Sequence, residues 1–416
     1  MLPLANLRLI ELAEALAGPY CAMMLGDLGA DVIKIERPGA GDQSRRWGAR
    51  LPNDESAYFC ATNRNKRSLT LNIQSAAGQA VMQKLLATAD VLLCNLPRED
   101  SLRRAGLDFK TLHAKFPRLI CVSITGYGHT GPNAGRSGYD LVAQGEAGLM
   151  SVTGTPESAP LRYPIPLADM TTGLYATIGI LAALRTRDQT GEGQFIDLSL
   201  LESQATYLTV LAGDFFATGQ PPRLLGNAHA GIIPYQVFHT ADKDVVIAVG
   251  SDRLWMQFCA VLGLGPGAPS GRATARAGDN DAPAGPDVRD DPRFATNQAR
   301  LRHRAEVIEI IQARLAQIPS AELLPKLTAA EIPCGPINTV PDILGDAHYL
   351  QRGNIVAQTH SRAGAVRSIA NPVRLTDTPP TYRLPPPALG EHTELILQEL
   401  GYSPDEIEQF RREGEI

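Results

Sequence analysis

The sequence predicts an α/β protein built on an open, mostly parallel sheet, with a smaller α+β domain after it. Three observations predict this. Short apolar runs alternate with helical stretches up to Thr125, the pattern of βαβ units. Asp90 to Cys94 (Asp-Val-Leu-Leu-Cys) is apolar after its first residue, as a parallel strand buried on both faces requires. Beyond Gly226 the alternation stops, and two strand-like runs precede helices.

The elements follow in order. Leu7 to Leu12 is the first strand, and Ala17-Gly18-Pro19 breaks it. Proline is tolerated in a first helical turn, so a helix runs from Pro19 to Gly29. Asp31 to Glu36 is β-branched and alternating, a second strand. Ala76 to Ala89 is helical, Leu102 to Phe116 is helical in part, and Leu119 to Thr125 is a strand. In such sheets ligands gather at the carboxyl ends of the strands. Those ends are Ala13 to Pro19, Glu36 to Gly41, Asn95 to Arg98 and Gly126 to Gly131. Met170 to Arg185 is an apolar helix rich in small residues. Pro234 to Phe238 and Val245 to Val249 are strands, Leu254 to Leu262 and Leu301 to Gln317 helices, and Pro333 to Pro336 a turn. Gly265 to Val288, rich in Gly, Pro, Ala and Asp, is a surface insertion. Pro404 to Glu413 is a charged terminal helix. The domains expected are 1–225, a small one at 226–330, and a segment 331–416 that returns to the first.

Composition narrows the function. At 416 residues the chain has room for two domains. A net charge of −5 gives no general attraction to nucleic acid or an anionic membrane. The six cysteines form no Cys-x-x-Cys pair and the histidines no His-x-x-x-His pair, so no metal site is expected. Met1 to Asn6 lacks a basic leader segment. The apolar run Gly173 to Leu184 falls short of the roughly 20 residues a bilayer needs. The cytoplasm, where thiols stay reduced, is the expected compartment.

Asp169, between the Pro166-Leu167-Ala168 loop and the apolar helix, is the leading candidate for chemistry. Its spacing reads first as a helix N-cap. The same place suits a reactive carboxylate, oriented by the helix dipole and close to backbone N–H groups able to hold an oxyanion. A dinucleotide site is disfavoured, because Gly18 stands alone where Gly-x-Gly-x-x-Gly is needed. No Gly-x-Ser-x-Gly elbow supports a serine hydrolase. Asn63-Arg64-Asn65-Lys66-Arg67 packs three cations before a strand. Such a run is usually a solvated face. With Arg37, Arg98, Arg103 and Arg104 it also suits the phosphates of coenzyme A.

Taken together these residues resemble the family III CoA-transferases of the CaiB/BaiF type, which include formyl-CoA:oxalate transferases and sister acyl-CoA racemases. The matching pieces span nearly the whole chain. They include Leu16-Ala17-Gly18-Pro19, Gly29 to Glu36, Asn65-Lys66-Arg67-Ser68, Gly126-Tyr127-Gly128, Leu167-Ala168-Asp169, Gly191-Glu192-Gly193-Gln194, Ile332 to Pro336 and Leu389-Gly390-Glu391-His392-Thr393. The resemblance implies a Rossmann-like large domain, a small domain and an interlocked-ring homodimer. It implies CoA transfer from an acyl-CoA, such as succinyl-CoA, to a small carboxylic acid, with Asp169 as the nucleophile that becomes an aspartyl-CoA thioester. Coenzyme A is then a substrate, and no permanent cofactor is implied. The CoA contacts implied are Leu16, Ala17, Arg37, Leu71, Asn72, Ile73, Gln74, Asn95, Leu96, Pro97, Arg104, Ser137, Gly138, Tyr139 and Asp140. A glycine-rich lid over the aspartate has only a faint echo in Gly250-Ser251-Asp252. The alternative is an α-methylacyl-CoA racemase. Those enzymes pair the aspartate with a histidine at the position held here by Tyr139, and a tyrosine of ordinary pKa, about 10, is a poor base at neutral pH.

Overall fold

The computed structural model describes residues 1–95, 99–158, 160–265 and 288–416. The chain forms two compact units. The first contains Met1–Thr153, Pro160–Pro222 and Asp346–Ile416, and the second Gly154–Ala159 and Arg223–Gly345.

In the first unit, β1 (Arg8–Leu12), α1 (Ala17–Asp27) and β2 (Asp31–Glu36) make the expected βαβ unit. Then come α2 (Ala57–Thr62), β3 (Lys66–Thr70), α3 (Ala76–Leu86), β4 (Val91–Cys94), α4 (Glu99–Arg104), α5 (Phe109–Lys115) and β5 (Ile120–Thr125). After α6 (Asp140–Glu146) and α7 (Leu167–Thr190), β6 (Phe195–Ser199) completes the sheet, and α8 (Leu200–Ala205) and α9 (Thr209–Thr218) follow. All six strands are parallel, in the order β3-β2-β1-β4-β5-β6. The chain therefore reverses direction across the sheet between β1 and β4, the crevice where doubly wound sheets bind ligands.

Helix α7 decides how the site is built. Ala168, Ala176, Ile180 and Ala183 are buried with Ala17, Cys21 and Leu25 of α1 in one core cluster. A Cβ at Gly173 would meet the Ala17 carbonyl at 2.7 Å, so glycine lets the two helices touch. At 24 residues α7 is longer than its apolar run suggested, and by length and composition it matches a membrane span. Its buried face packs on α1 instead.

The second unit pairs β7 (Tyr235–His239), β8 (Asp244–Ala248) and β9 (Cys334–Pro336) in an antiparallel sheet. Helices α10 (Asp252–Leu262), α11 (Asn297–Arg302), α12 (Arg304–Leu315) and α13 (Ser320–Ala329) share its core around Trp255 and Phe258. Pro333 to Pro336 is thus a strand rather than a bare turn, and the unit runs through α14 (Val340–Gly345), past the boundary expected near 330. The 265–288 insertion lies outside the described residues except at its ends. The first unit is completed by α15 (Ala347–Gln351), the β10–β11 pair (Ile355–His360, Gly364–Ile369), α16 (Thr393–Glu399) and α17 (Pro404–Arg412).

Candidate active site

Three neighbouring strands contribute to a buried charge cluster that shapes the loop after β1. Lys34 on β2 contacts Glu11 of β1 at 3.0 Å and Asp42 at 2.9 Å, and Lys66 on β3 contacts Glu11 at 2.8 Å. The side chains of Glu11, Lys34, Lys66 and Asp42 are fully enclosed. Buried charges are tolerated only with a full set of partners. Burial alone would lower Lys34, but Glu11, Asp42 and Glu36 outweigh it and hold the ammonium above its ordinary value. Burial also opposes ionisation of Asp42, yet Lys34 and the Ser44 and Ala15 amides bring it down to about 2. Lys66, beside Lys34 and dominated by burial, falls to about 8.

This cluster grips the loop between β1 and α1. Lys34 donates to the Ala13 carbonyl at 2.7 Å, and Lys66 to the Pro19 carbonyl at 2.9 Å. Asn95 brackets Glu14, accepting from its amide at 3.2 Å and donating to its carbonyl at 2.9 Å. The Ala15 amide donates to Asp42 Oδ1 at 3.1 Å, with Ala15 held at φ 69°. A left-handed alanine is unfavourable by itself, so the side chains around the loop enforce it.

Asp169 is the third residue of α7, not its cap. The N-cap is Pro166, which offers no side-chain bond. Asp140, the first residue of α6, supplies the cap instead: its Oδ1 accepts from the Ala168 amide at 2.8 Å. Gln144, buried one turn further on, donates to Asp140 Oδ2 at 2.8 Å and accepts from the Tyr163 amide at 2.8 Å. With the Ala168 amide taken by Asp140 and the Met170 amide bonded to Pro166 O at 3.1 Å, these two first-turn amides are occupied rather than open to an oxyanion.

The Asp169 side chain is half-buried, and among the described residues nothing hydrogen-bonds its carboxylate. Burial and then the neighbouring Asp140 charge push its carboxyl up to about 7. Tyr58 stands in the same field: burial, followed by Asp169, Asp140 and Asp42, pushes its phenol up to about 12. It remains a protonated donor at neutral pH. Trp47 meets Tyr58 edge-to-face, with ring centroids 5.5 Å apart.

Asp169, Asp140 and Trp47 line a cavity of about 1020 Å³ at the carboxyl ends of the strands, whose described lining belongs wholly to the first unit. Its walls are Leu12 to Ala15 and Ala17, Ile35 to Pro38, Leu71 to Gln74, Asn95, Ile124 to Gly126, and Ser137 to Leu141 with Asp169. Its volume is at the upper end of the roughly 300–1,000 Å³ of small-molecule sites. Gly126 and Gly138 close one wall: a Cβ on either would come within 2.6 Å of the other's Cα. No histidine is among the described residues of the lining. Of the carboxylates among the described lining residues, Asp169 is the one whose carboxyl is raised to about 7.

The sequence matches the model of CoA-transferase family III over residues 4–393. The chain belongs to that family. It is 39% identical over 404 residues to the succinate–glutarate CoA-transferase of Agrobacterium fabrum, covering 96% of each chain. It is 37% identical to the succinyl-CoA:glutarate CoA-transferase of Mus musculus, covering 100% of this chain and 91% of the relative. A solved CaiB/BaiF family structure from Brucella suis is 37% identical, with a TM-score of 0.80, over 96% of this chain and 99% of that one. The protein is therefore a family III CoA-transferase, an enzyme whose substrates are acyl-CoA and a carboxylate.

In this CoA-transferase the structure gathers most of the residues the sequence singled out. Ala17, Arg37, Leu71 to Gln74, Asn95, Ser137 to Asp140 and Asp169 share the cavity. Leu16 is buried behind the loop as the N-cap of α1. Arg104, on α4, is outside the lining. Leu96, Pro97 and Arg98 lie outside the described residues. Gly250-Ser251-Asp252 begins α10 in the second unit, where Ser251 caps the helix.

The cation run from Arg64 to Arg67 is neither a solvated face nor a phosphate site. It runs into β3, and its charges are spent inside: Arg64 on Asp27 at 2.6 Å, Lys66 on Glu11, and Arg67 on Asp31 and Glu399 at 2.7 Å each. Sequence reasoning missed Glu11, Lys34, Asp42, Trp47, Gln144 and Arg162. Only Asp42 carried a local signal, the Asx-type turn in which its side chain accepts from the Ser44 amide at 2.8 Å.

Proposed function

We propose that this enzyme moves CoA from succinyl-CoA to glutarate, or between similar short dicarboxylic acids, by covalent catalysis at Asp169. The observation that carries the mechanism is the Asp169 carboxylate: free of hydrogen bonds among the described residues, half-buried, and ionising near pH 7 in the strand-end cavity. A Coulombic trap of the usual kind, a salt bridge, would blunt such a nucleophile; here none is present among the described residues. Named relatives that act on succinyl-CoA and glutarate support the substrate class.

The exchange balances with no net proton. An Asp169 oxygen adds to the thioester carbonyl of the donor, the C–S bond breaks, and CoA leaves as its thiolate with a mixed anhydride on Asp169. The thiolate attacks the aspartyl carbonyl, giving the aspartyl-CoA thioester and the free donor carboxylate. The acceptor carboxylate then attacks that thioester and expels the thiolate. The thiolate takes the acceptor acyl group and restores Asp169. Each hard exchange is split into two easier ones.

The first unit serves as the CoA-binding domain in this reading. The enzyme works as an interlocked homodimer, supported by apolar side chains left at the surface of α7 and α9, including Ile178, Val210 and Phe216. Five buried cysteines and no disulfide support a reducing, cytoplasmic setting. A panel of acyl-CoA donors against mono- and dicarboxylate acceptors, read by mass spectrometry, tests the function. Succinyl-CoA with glutarate is expected to exchange. Deuterium exchange at the α-carbon of a branched acyl-CoA, without any acceptor acid, would favour the racemase instead.

A further inference from the structure

The charges in the cavity do not cancel evenly. Four carboxylates are among its described lining residues: Glu14, Glu36, Asp140 and Asp169. Two are neutralised. Glu14 takes Arg37 at 2.8 Å, and Glu36 takes Arg45 at 2.7 Å. Asp140 and Asp169 have no ion pair among the described residues. Of the two cations in the lining, Arg37 is thereby engaged, and Arg162 is left. Arg162 forms no ion pair among the described residues, and its guanidinium donates one long hydrogen bond there, to the Pro164 carbonyl at 3.5 Å.

The base of Arg162 is fixed at the Asp169 end of the cavity. The next residue, Tyr163, donates its amide to Gln144, Gln144 donates to Asp140, and Asp140 caps the amide of Ala168, which precedes Asp169. The buried Gln144 also donates to the Ile165 carbonyl at 3.2 Å. The loop that carries Arg162 is thus tied through α6 to the helix that bears Asp169, while the Arg162 guanidinium stays exposed and uncommitted.

We propose that Arg162 is a specificity-determining residue that receives the distal carboxylate of a dicarboxylic substrate. This rests on the reading of Asp169 as the nucleophile for dicarboxylic acids. One carboxylate of such an acid reacts at Asp169. The other must lie a few bonds away, beside Asp140, where an unpaired anion is repelled. A guanidinium is the side chain suited to bidentate carboxylate recognition, and Arg162 is the uncommitted one. A monocarboxylic acid gains nothing from it.

The test compares Arg162→Gln, Arg162→Lys and Arg162→Glu with the unmodified enzyme, using succinyl-CoA as donor. The acceptors are glutarate, pentanoate and 5-aminopentanoate, which share a five-carbon chain and differ at the far end. In a double-displacement reaction kcat/KM for the acceptor reports only the second half-reaction, so damage to the donor half cancels. The glutarate-to-pentanoate ratio is expected to fall about thirtyfold in Arg162→Gln, the loss of one charge-assisted pair. Arg162→Lys should recover part of it, and Arg162→Glu should favour 5-aminopentanoate. An unchanged ratio in Arg162→Gln overturns the proposal. So does an equal loss with all three acids accompanied by weaker inhibition by free CoA, which would assign Arg162 to CoA. If the unmodified enzyme transfers CoA to none of these acids, the parent reading fails and this one with it; if it does transfer, the ratio alone decides.

Discussion

Asp140 both supports and perturbs Asp169: its Oδ1 caps the helix that carries Asp169, accepting from the Ala168 amide at 2.8 Å, while its charge helps raise the Asp169 carboxyl to about 7. One carboxylate thus fixes the position of the other and keeps it basic. A more basic carboxylate is a stronger nucleophile, provided it is ionised at the working pH.

The pH dependence follows directly. Asp169 must be ionised to attack, so kcat/KM for the acyl-CoA should fall about tenfold per pH unit below an apparent pKa near 7. Asp140→Asn keeps an oxygen to cap Ala168 but removes the charge. Its acid limb should move to lower pH, by less than the part due to burial, which is the larger cause. A pH–rate profile that does not move would show that Asp140 acts on Asp169 through position alone.

Stability should carry the opposite mark of the same group. The folded carboxyl titrates near 7 and the unfolded one near 3.8, so the folded state binds more protons between those values. Stability from this site is therefore present at low pH and lost as pH rises through 7. Asp169→Asn should stabilise the fold at pH 8 by on the order of 1 kcal/mol given partial solvent screening, seen as a higher Tm. The gain should vanish near pH 3. Melting curves at both pH values check it.

The buried cluster beneath the β1–α1 loop makes a third prediction. Asp42→Ala leaves Glu11 facing both Lys34 and Lys66, an excess buried positive charge. Breaking a buried pair in this way costs about 3–5 kcal/mol. Adding Lys34→Met restores balance and should recover the part of the loss due to excess charge, but not the Asp42 bonds to the Ala15 and Ser44 amides, nor the Lys34 bond to the Ala13 carbonyl. Urea unfolding midpoints of the single and double variants measure this.

What the sequence revealed and concealed follows from range. β1, β2, β4 and β5 are rich in Leu, Ile and Val, and their alternation with helices is a local signal, although Glu11 and Lys34 are buried within β1 and β2. β3 reads Lys-Arg-Ser-Leu-Thr and looked like surface, because its cations find their carboxylates on Glu11, Asp31 and Glu399, far away in the chain. The spacing around Asp169 suggests a cap, but the structure places it inside the first turn of α7. The side chain that caps the helix, Asp140, lies 28 residues before the Ala168 amide it accepts from, and no spacing rule spans that distance. The cavity fell where strand ends predict a site. Its unpaired arginine, Arg162, sits in an irregular loop with no pattern to mark it.

The most direct test of the central claim is to trap the covalent intermediate. The enzyme is incubated with succinyl-CoA, treated with hydroxylamine and digested, and its peptides are weighed by mass spectrometry. A hydroxamate is expected on Asp169, absent in Asp169→Ala, together with at least a thousandfold loss of transfer in that variant and unchanged affinity for CoA. A hydroxamate on another residue, or transfer that survives in Asp169→Ala, would contradict the account.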